Sequence, residues 1–417
     1  YLEAGSLSTG FAGIEAIRRE LEDFKDSGKF IVSYGDYYTQ GAYYLCSVAD
    51  SVFLNPQGSV SLVGLASQGL FFTGLAEKIG VEHYIFKVGT YKSAVEPFFL
   101  KKFSDANREQ LTSFLGSVWG NLTTAIEKSR NISSDELDRY LNEGLAMGQA
   151  SNAVDYKLAD GLRYRYEVEN CVKEMAGQDV KGKLKTAGVD KIVSIKVKEK
   201  ENKNKIAVLY AEGEIRDEDS SSPFSADEQV ISEEMANKLR KLKDDDDVKA
   251  VVFRVNSPGG SAYISEQIWK EVVELKAKKP IVVSMGNYAA SGGYYISCAA
   301  NKIVAERTTL TGSIGVFGVV RNFTGTFDKV GVTTDIVKTN TFADLGDISR
   351  PMREDEKALI QRGVEQTYDL FLTRCADGRG MTKAEIDSIG QGRVSDRRTF
   401  FQTQLCGCSS IDTSLLG

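Results

Sequence analysis

One hydroxyl, Ser291, stands among residues with almost no side chain in "NYAASGGYYIS" (287–297). An apolar run from Pro280 to Val283 leads in, and a helix-like spacing of Tyr294, Tyr295, Cys298 and Ala299 leads out. A serine exposed at a strand-to-helix turn is how many hydrolases present a nucleophile. Such a serine needs a base, and the usual one is histidine. The chain has a single histidine, His83, in the alternating pattern "VEHYIF", which reads as an ordinary strand residue. An α/β-hydrolase would also require the histidine downstream of the serine. The chymotrypsin order would allow it upstream, but that fold is all-β. A Ser-x-x-Lys pattern fails too, because Gly-Gly-Tyr follows Ser291.

The search for a partner begins with an internal duplication. "SYGDYYTQGAYYLCSVADSVFLN" (33–55) lies without a gap over "SMGNYAASGGYYISCAANKIVAE" (284–306), at an offset of 251. "IGVEHYIFKVGTYKSA" (79–94) lies over "VGVTTDIVKTNTFADL" (330–345) at the same offset. Each copy reads as strand, glycine-rich turn, helix, strand, turn and helix, closed by a long amphipathic helix. Alternating buried strands and helices indicate an α/β fold with parallel pairing. In the long helix after Ser104, the residues Leu111, Phe114, Leu115, Val118, Trp119 and Leu122 form an apolar stripe for core or subunit packing. "IAVLYAEGEI" (206–215) reads as a buried strand opening the second copy.

Positions shared by both copies serve the fold, and positions that differ are candidates for divided labour. Ser291 falls on Gln40, Lys92 on Ala343, and "SPGG" (257–260) on "SLST" (6–9). One copy keeps a serine and a glycine turn, and the other keeps a lysine. That suits a single site built from both. Ser-Lys pairs are a variant of triad logic, with a severe requirement. Lysine's ordinary pKa of about 10.4 must fall to about 7–8 for a useful base. Burial can supply such a shift, and Lys92 is followed by "SAVEPFF", a context compatible with burial. An oxyanion would need N–H donors. The turn "NSPGG", with Gly259 and Gly260, frees backbone N–H groups. Gly292 presents its own from the first turn of a helix.

Composition bounds the alternatives. With 417 residues, two or more core-bearing units are expected. The net charge of −6 argues against a nucleic-acid binder. No apolar run reaches the eighteen or so residues that span a bilayer, and Tyr1 to Gly10 lacks the basic head and apolar core of a signal peptide. Six scattered cysteines with one histidine and no CxxC make a zinc site improbable. The expected organisation is an N-terminal repeat over 1–176 carrying the lysine, a lysine-rich linker over 177–205, and a C-terminal repeat over 206–417 carrying the serine. The first copy lacks a counterpart of the 206–215 strand, so an N-terminal truncation is expected.

At "GTYKSAVEPF", "NYAASGGYYIS" and "LTGSIGV" the chain resembles the signal peptide peptidase A family of the long, duplicated type, the protease IV group. The resemblance runs through both copies in order. It implies a tandem duplication of a Clp-protease/crotonase-like β-α superhelical domain and a serine endopeptidase with a Ser-Lys dyad and no cofactor. Ser291 would be the nucleophile and Lys92 the general base, with Ser313 orienting the lysine. Main-chain N–H groups of Gly259 or Gly260 and of Gly292 would form the oxyanion hole. The resemblance further implies peptide substrates, namely leftover signal peptides. It implies a homotetramer tethered to the bacterial inner membrane by an N-terminal anchor, with the catalytic part facing the periplasm or exterior. The segment from about 395 to 417 departs from the family, being polar and aromatic where an Ala/Leu-rich helix is expected. Two other functions compete: a crotonase-like acyl-thioester enzyme, which would need no Ser-Lys pair, and a non-catalytic assembly component.

Overall fold

A computed structural model of the chain describes residues 1–3, 5, 7–195, 203–217 and 229–395. The atypical stretch 396–417, with Cys406 and Cys408, lies outside the described residues, as does 196–202 of the lysine-rich segment. The chain divides into two compact units, Tyr1–Ala66 with Gly116–Lys203, and Ser67–Leu115 with Asn204–Gly417. The units cut across the sequence repeats, because residues 67–115 of the first copy pack with the second copy. The physical reason is a strand pair. Glu82–Val88 runs antiparallel to Val316–Asn322, in register from Val316↔Val88 to Asn322↔Glu82.

The first unit carries a parallel sheet in which Val32–Tyr38 lies between Leu2–Glu3 and Ser51–Val60, and Gly161–Leu162 follows at the far edge. The second unit is built on a larger sheet. Its central strand, Ile281–Ala290, pairs in parallel with Val248–Ser257 on one side and with Lys302–Val304 and Leu310–Gly312 on the other. Val248–Ser257 pairs in turn with Lys205–Glu212. Phe253, Val255 and Val283 are fully buried under the helix Ala262–Lys278, which contributes Ile264, Ile268 and Val272. Each such side chain removed from water contributes about 1.5–3 kcal/mol. That helix starts where the Ser261 hydroxyl accepts the Ile264 N–H, and ends with Lys276 and Lys278 beside its negative pole.

The duplication survives in three dimensions. Tyr43 and Tyr44, and their counterparts Tyr294 and Tyr295, are all buried on short helices that follow the equivalent strands. The long helices Asp105–Arg130 and Glu354–Arg379 both span 26 residues. Each is followed by a left-handed residue, Asn131 or Gly380, and then by a helix opened by a capping box, Ser133 with Glu136 or Thr382 with Glu385.

Two expectations are modified. Lys205–Glu212 is an edge strand with one neighbour, and Ile206, Val208 and Tyr210 are exposed on it rather than buried. In the first long helix the fully buried residues are Val118, Leu122 and Ile126, whereas Leu111, Phe114 and Leu115 are only half-buried.

Helix Glu354–Arg379 crosses the serine-bearing helix region at Gly378, where an added Cβ would lie 2.3 Å from the Cys298 carbonyl oxygen. Gly378→Ala is therefore expected to lower stability by about 1–3 kcal/mol, read as a lower unfolding midpoint in thermal or urea denaturation.

Candidate active site

Ser291 sits where the central strand ends and the short helix Gly292–Tyr295 begins. Its backbone is at φ 53°, a conformation that favours glycine and costs a side-chain-bearing residue about 1–3 kcal/mol. Neighbouring bonds hold it there. The Ser291 N–H donates to Gly312 O at 2.9 Å, and its carbonyl accepts the N–H groups of Tyr294 and Tyr295. The small residues are needed for close approach. A Cβ on Gly293 would lie 2.7 Å from Ser257 O, and one on Gly292 would lie 2.7 Å from Ser265 Oγ.

Lys92 lies four residues beyond the strand Glu82–Val88, whose pairing with Val316–Asn322 carries it toward the turn at Ser313. Only 3% of Lys92 is exposed. Its Nζ is 3.1 Å from Ser291 Oγ, 3.0 Å from Ser313 Oγ and 3.2 Å from Ser313 O. This set satisfies both states of the amine. An ammonium donates its three protons to the three oxygens. A neutral amine donates two to Ser313 and turns its lone pair on the Ser291 hydroxyl. Burial lowers the Lys92 pKa to about 8, because removing water penalises the charged form. Ser313 holds its place at φ 50°, its N–H donating to Arg393 O at 2.7 Å.

The glycine turn after strand Val248–Ser257 lies beside the serine. A Cβ on Gly259 would be 2.7 Å from Gly292 N and 2.8 Å from Ser291 Cβ. Gly259 and Gly260 have φ of 106° and 146°, open to glycine alone. The two are not equivalent as donors. The Gly259 N–H donates to Ser257 Oγ at 3.1 Å, so Gly259 contributes shape rather than a free N–H. Among the described residues, no acceptor takes the N–H of Gly260 or of Gly292. Ser257, fully buried, is a residue the sequence reading missed; the "NSPGG" turn was the available signal.

Other candidates fall where the sequence puts them. His83 is in strand Glu82–Val88 opposite Arg321 and stacks on Phe98 at 5.1 Å. In the first unit Gln40 holds the place of Ser291, and its amide is spent locally. Its Oε1 accepts from Val63 N and Gly64 N, and its Nε2 donates to Gly64 O. Cys46, Cys298 and Cys375 are buried free thiols. Among the described residues no cluster could hold a metal ion.

A hydroxyl in a strained turn, a buried amine against it and two unspent N–H groups form a constellation suited to acyl transfer on an α/β scaffold. Comparison with known proteins defines the family. The model of peptidase family S49 matches residues 23–179 and 273–407, and that of Clp protease matches 222–314. The chain belongs to peptidase family S49, with the α/β fold of the Clp-protease type and the two matched segments expected of a duplicated domain. Protease 4 of Haemophilus influenzae is 37% identical over 391 residues, covering 91% of this chain and 63% of that protein. Protease 4 of Salmonella typhi is 38% identical over 385 residues, covering 91% and 61%. The chloroplastic serine protease SPPA of Arabidopsis thaliana is 32% identical over 400 residues, covering 94% and 58%. The chain thus spans 58–63% of the length of these relatives.

Burying the Lys92 charge weakens the fold, by about 3 kcal/mol for a shift from about 10.5 to about 8. The unfolded chain holds the proton more tightly, so the penalty is complete below pH 8 and fades as pH rises toward 10.5. Lys92→Met, with a similar stem and no charge, is expected to raise the unfolding temperature at pH 7. The gain should shrink toward pH 10.5, as calorimetry across pH can test.

Proposed function

We propose that the protein is a serine endopeptidase in which Ser291 attacks a peptide carbonyl and Lys92 accepts its proton. The observation that carries this reading is the buried Lys92 Nζ 3.1 Å from Ser291 Oγ, within reach for proton transfer. As the Ser291 Oγ–carbon bond forms, the carbonyl oxygen gains negative charge and meets the N–H groups of Gly260 and Gly292. Donors aimed at that charge lower the barrier most. The Lys92 ammonium then gives its proton to the departing amine, leaving an ester on Ser291. Water attacks that ester, with Lys92 again taking a proton. Ser313 keeps the amine pointed at Ser291 throughout.

A crotonase-like thioester enzyme would use paired N–H donors but has no need of an amine bridging two serines. The proposal extends to the substrates, leftover signal peptides and other apolar segments, and to the place, the bacterial inner membrane with the catalytic part facing the periplasm or exterior. Among the described residues no helix is long and apolar enough to cross a membrane; tethering belongs to this proposal for the whole protein.

Assembly into a homo-oligomer, a tetramer on the family reading, is supported by an asymmetry in strand pairing. By the offset of 251, residues 65–71 correspond to the strand 316–322, and residues 333–339 to the strand 82–88. The two strands pair with each other, whereas 65–71 and 333–339 form no strand. Phe86 is 5% exposed, but its counterpart Val337 is 99% exposed. The second pairing would form between residues 65–71 of one copy and 333–339 of the next. Val337→Asp is expected to reduce the assembled mass in sedimentation, and an unchanged mass would remove this interface.

A fluorophosphonate probe should label Ser291, and labelling should be lost in Ser291→Ala and in Lys92→Ala. Because the neutral amine is the active form, the rate should rise about tenfold per pH unit below 8 and level off above. A folded Lys92→Ala variant cleaving peptides at the parental rate would falsify the dyad.

A further inference from the structure

The segment after helix Lys383–Ile389 threads between the lysine's turn and the Ser313 turn, touching both. Gln391 O accepts the Tyr91 N–H at 2.8 Å, and the Gly392 N–H donates to Ile314 O at 2.7 Å. Arg393 O accepts the Ser313 N–H, and Val394–Ser395 pairs antiparallel with Leu310–Gly312. Glycines wall the slot. A Cβ on Gly89 would lie 2.5 Å from the Gln391 carbonyl, and one on Gly315 would lie 2.8 Å from Gly392 Cα and 3.2 Å from Lys92 Cδ. A Cβ on Gly392 would lie 2.6 Å from both Cβ and N of Lys92. Gly392 is also at φ 74°. When "GQGR" of this copy is set over "GQAS" of the other, Ala150 stands at the position of Gly392. The glycine occurs in the copy whose segment must accommodate a lysine.

Gln110, on the helix Asp105–Arg130, ties the arrangement from behind. Its Nε2 donates to Tyr91 O at 3.1 Å and to Ser93 Oγ at 3.2 Å, the residues flanking Lys92. Its Oε1 accepts the Val394 N–H at 3.2 Å. Only 6% of Gln110 is exposed.

We propose that residues 390–395 act as a strap that holds Lys92 against Ser313 and Ser291, with Gly392 and Gln110 as positioning residues for proton transfer. The strap rests on the dyad reading above, and it works by excluding water from the amine. The charged groups on the surrounding elements are already committed. Arg393 pairs with Glu109 at 3.1 Å and stacks on Tyr91. Glu96, on the lysine's own turn, accepts from Ser104 and from Asn107 Nδ2. Burial alone accounts for the lowered Lys92 pKa, so loosening the strap should let water return and the pKa climb.

The test is the rate of fluorophosphonate labelling of Ser291 in the full chain, followed from pH 6 to about 11. In Gly392→Ala the inflection should move upward by a unit or more. Labelling at neutral pH should then fall about tenfold per unit and return at high pH. Gln110→Ala leaves the glycine slot intact and should shift the inflection in the same direction by less. If Gly392→Ala does not fold, Gln110→Ala decides the matter. A parental inflection in the folded variants, with rates unchanged or scaled equally at every pH, overturns the strap. Absent or pH-independent labelling of the parent protein instead removes the dyad, and the strap with it.

Discussion

An amine that works as a base near neutral pH must be dry, and it must still satisfy every proton it carries. Lys92 meets both demands at one point: 3% exposed, with Ser291 Oγ and the two oxygens of Ser313 around its Nζ. Under the proposed dyad, the strands of the second unit serve that requirement. Strand Glu82–Val88 brings the lysine to its place by pairing with Val316–Asn322, which also fixes the end of the Ser313 turn. The central strand brings Ser291 from the other side. No carboxylate is required, because a nearby negative charge would favour the ammonium and raise the pKa.

The arrangement has a local cost. Ser291 and Ser313 both hold positive φ without being glycine. Such strain persists only where surrounding bonds over-determine it. Here the N–H groups of Ser291 and Ser313 donate to Gly312 and Arg393. The hydroxyls in question are therefore held by backbone bonds, leaving their side-chain oxygens for Lys92.

On the proposed reading, the duplication explains how one chain came to split a site between its copies. Equivalent tyrosines, caps and long helices keep both folds intact, while the polar residues diverge. Gln40 shows the other outcome. Where Ser291 would stand, an amide closes its own bonds onto residues 63–64 and offers no nucleophile. The exposed Val337, counterpart of the buried Phe86, is the same divergence seen at the level of strand pairing.

The amino-acid sequence by itself determined the α/β class and the repeat, and it singled out Ser291 and Lys92 as candidates for one site. Each copy serves as a control for the other, so a residue kept in only one stands out. It also marked Gly292 and the "SPGG" turn, since glycine is the residue that tolerates such backbones. The tertiary structure decided what depends on long-range geometry. Hydrogen-bond supply at the turn is one case: Ser257 takes the Gly259 N–H and leaves that of Gly260, a distinction between neighbouring glycines that no pattern of residue types encodes. The exposure of Ile206, Val208 and Tyr210 is another, since an apolar strand does not announce how many neighbours it will have. Last is the partition of the chain. The strand before Lys92 found its partner more than two hundred residues away. That pairing, rather than the boundary between repeats, placed the lysine in the same compact unit as the serine.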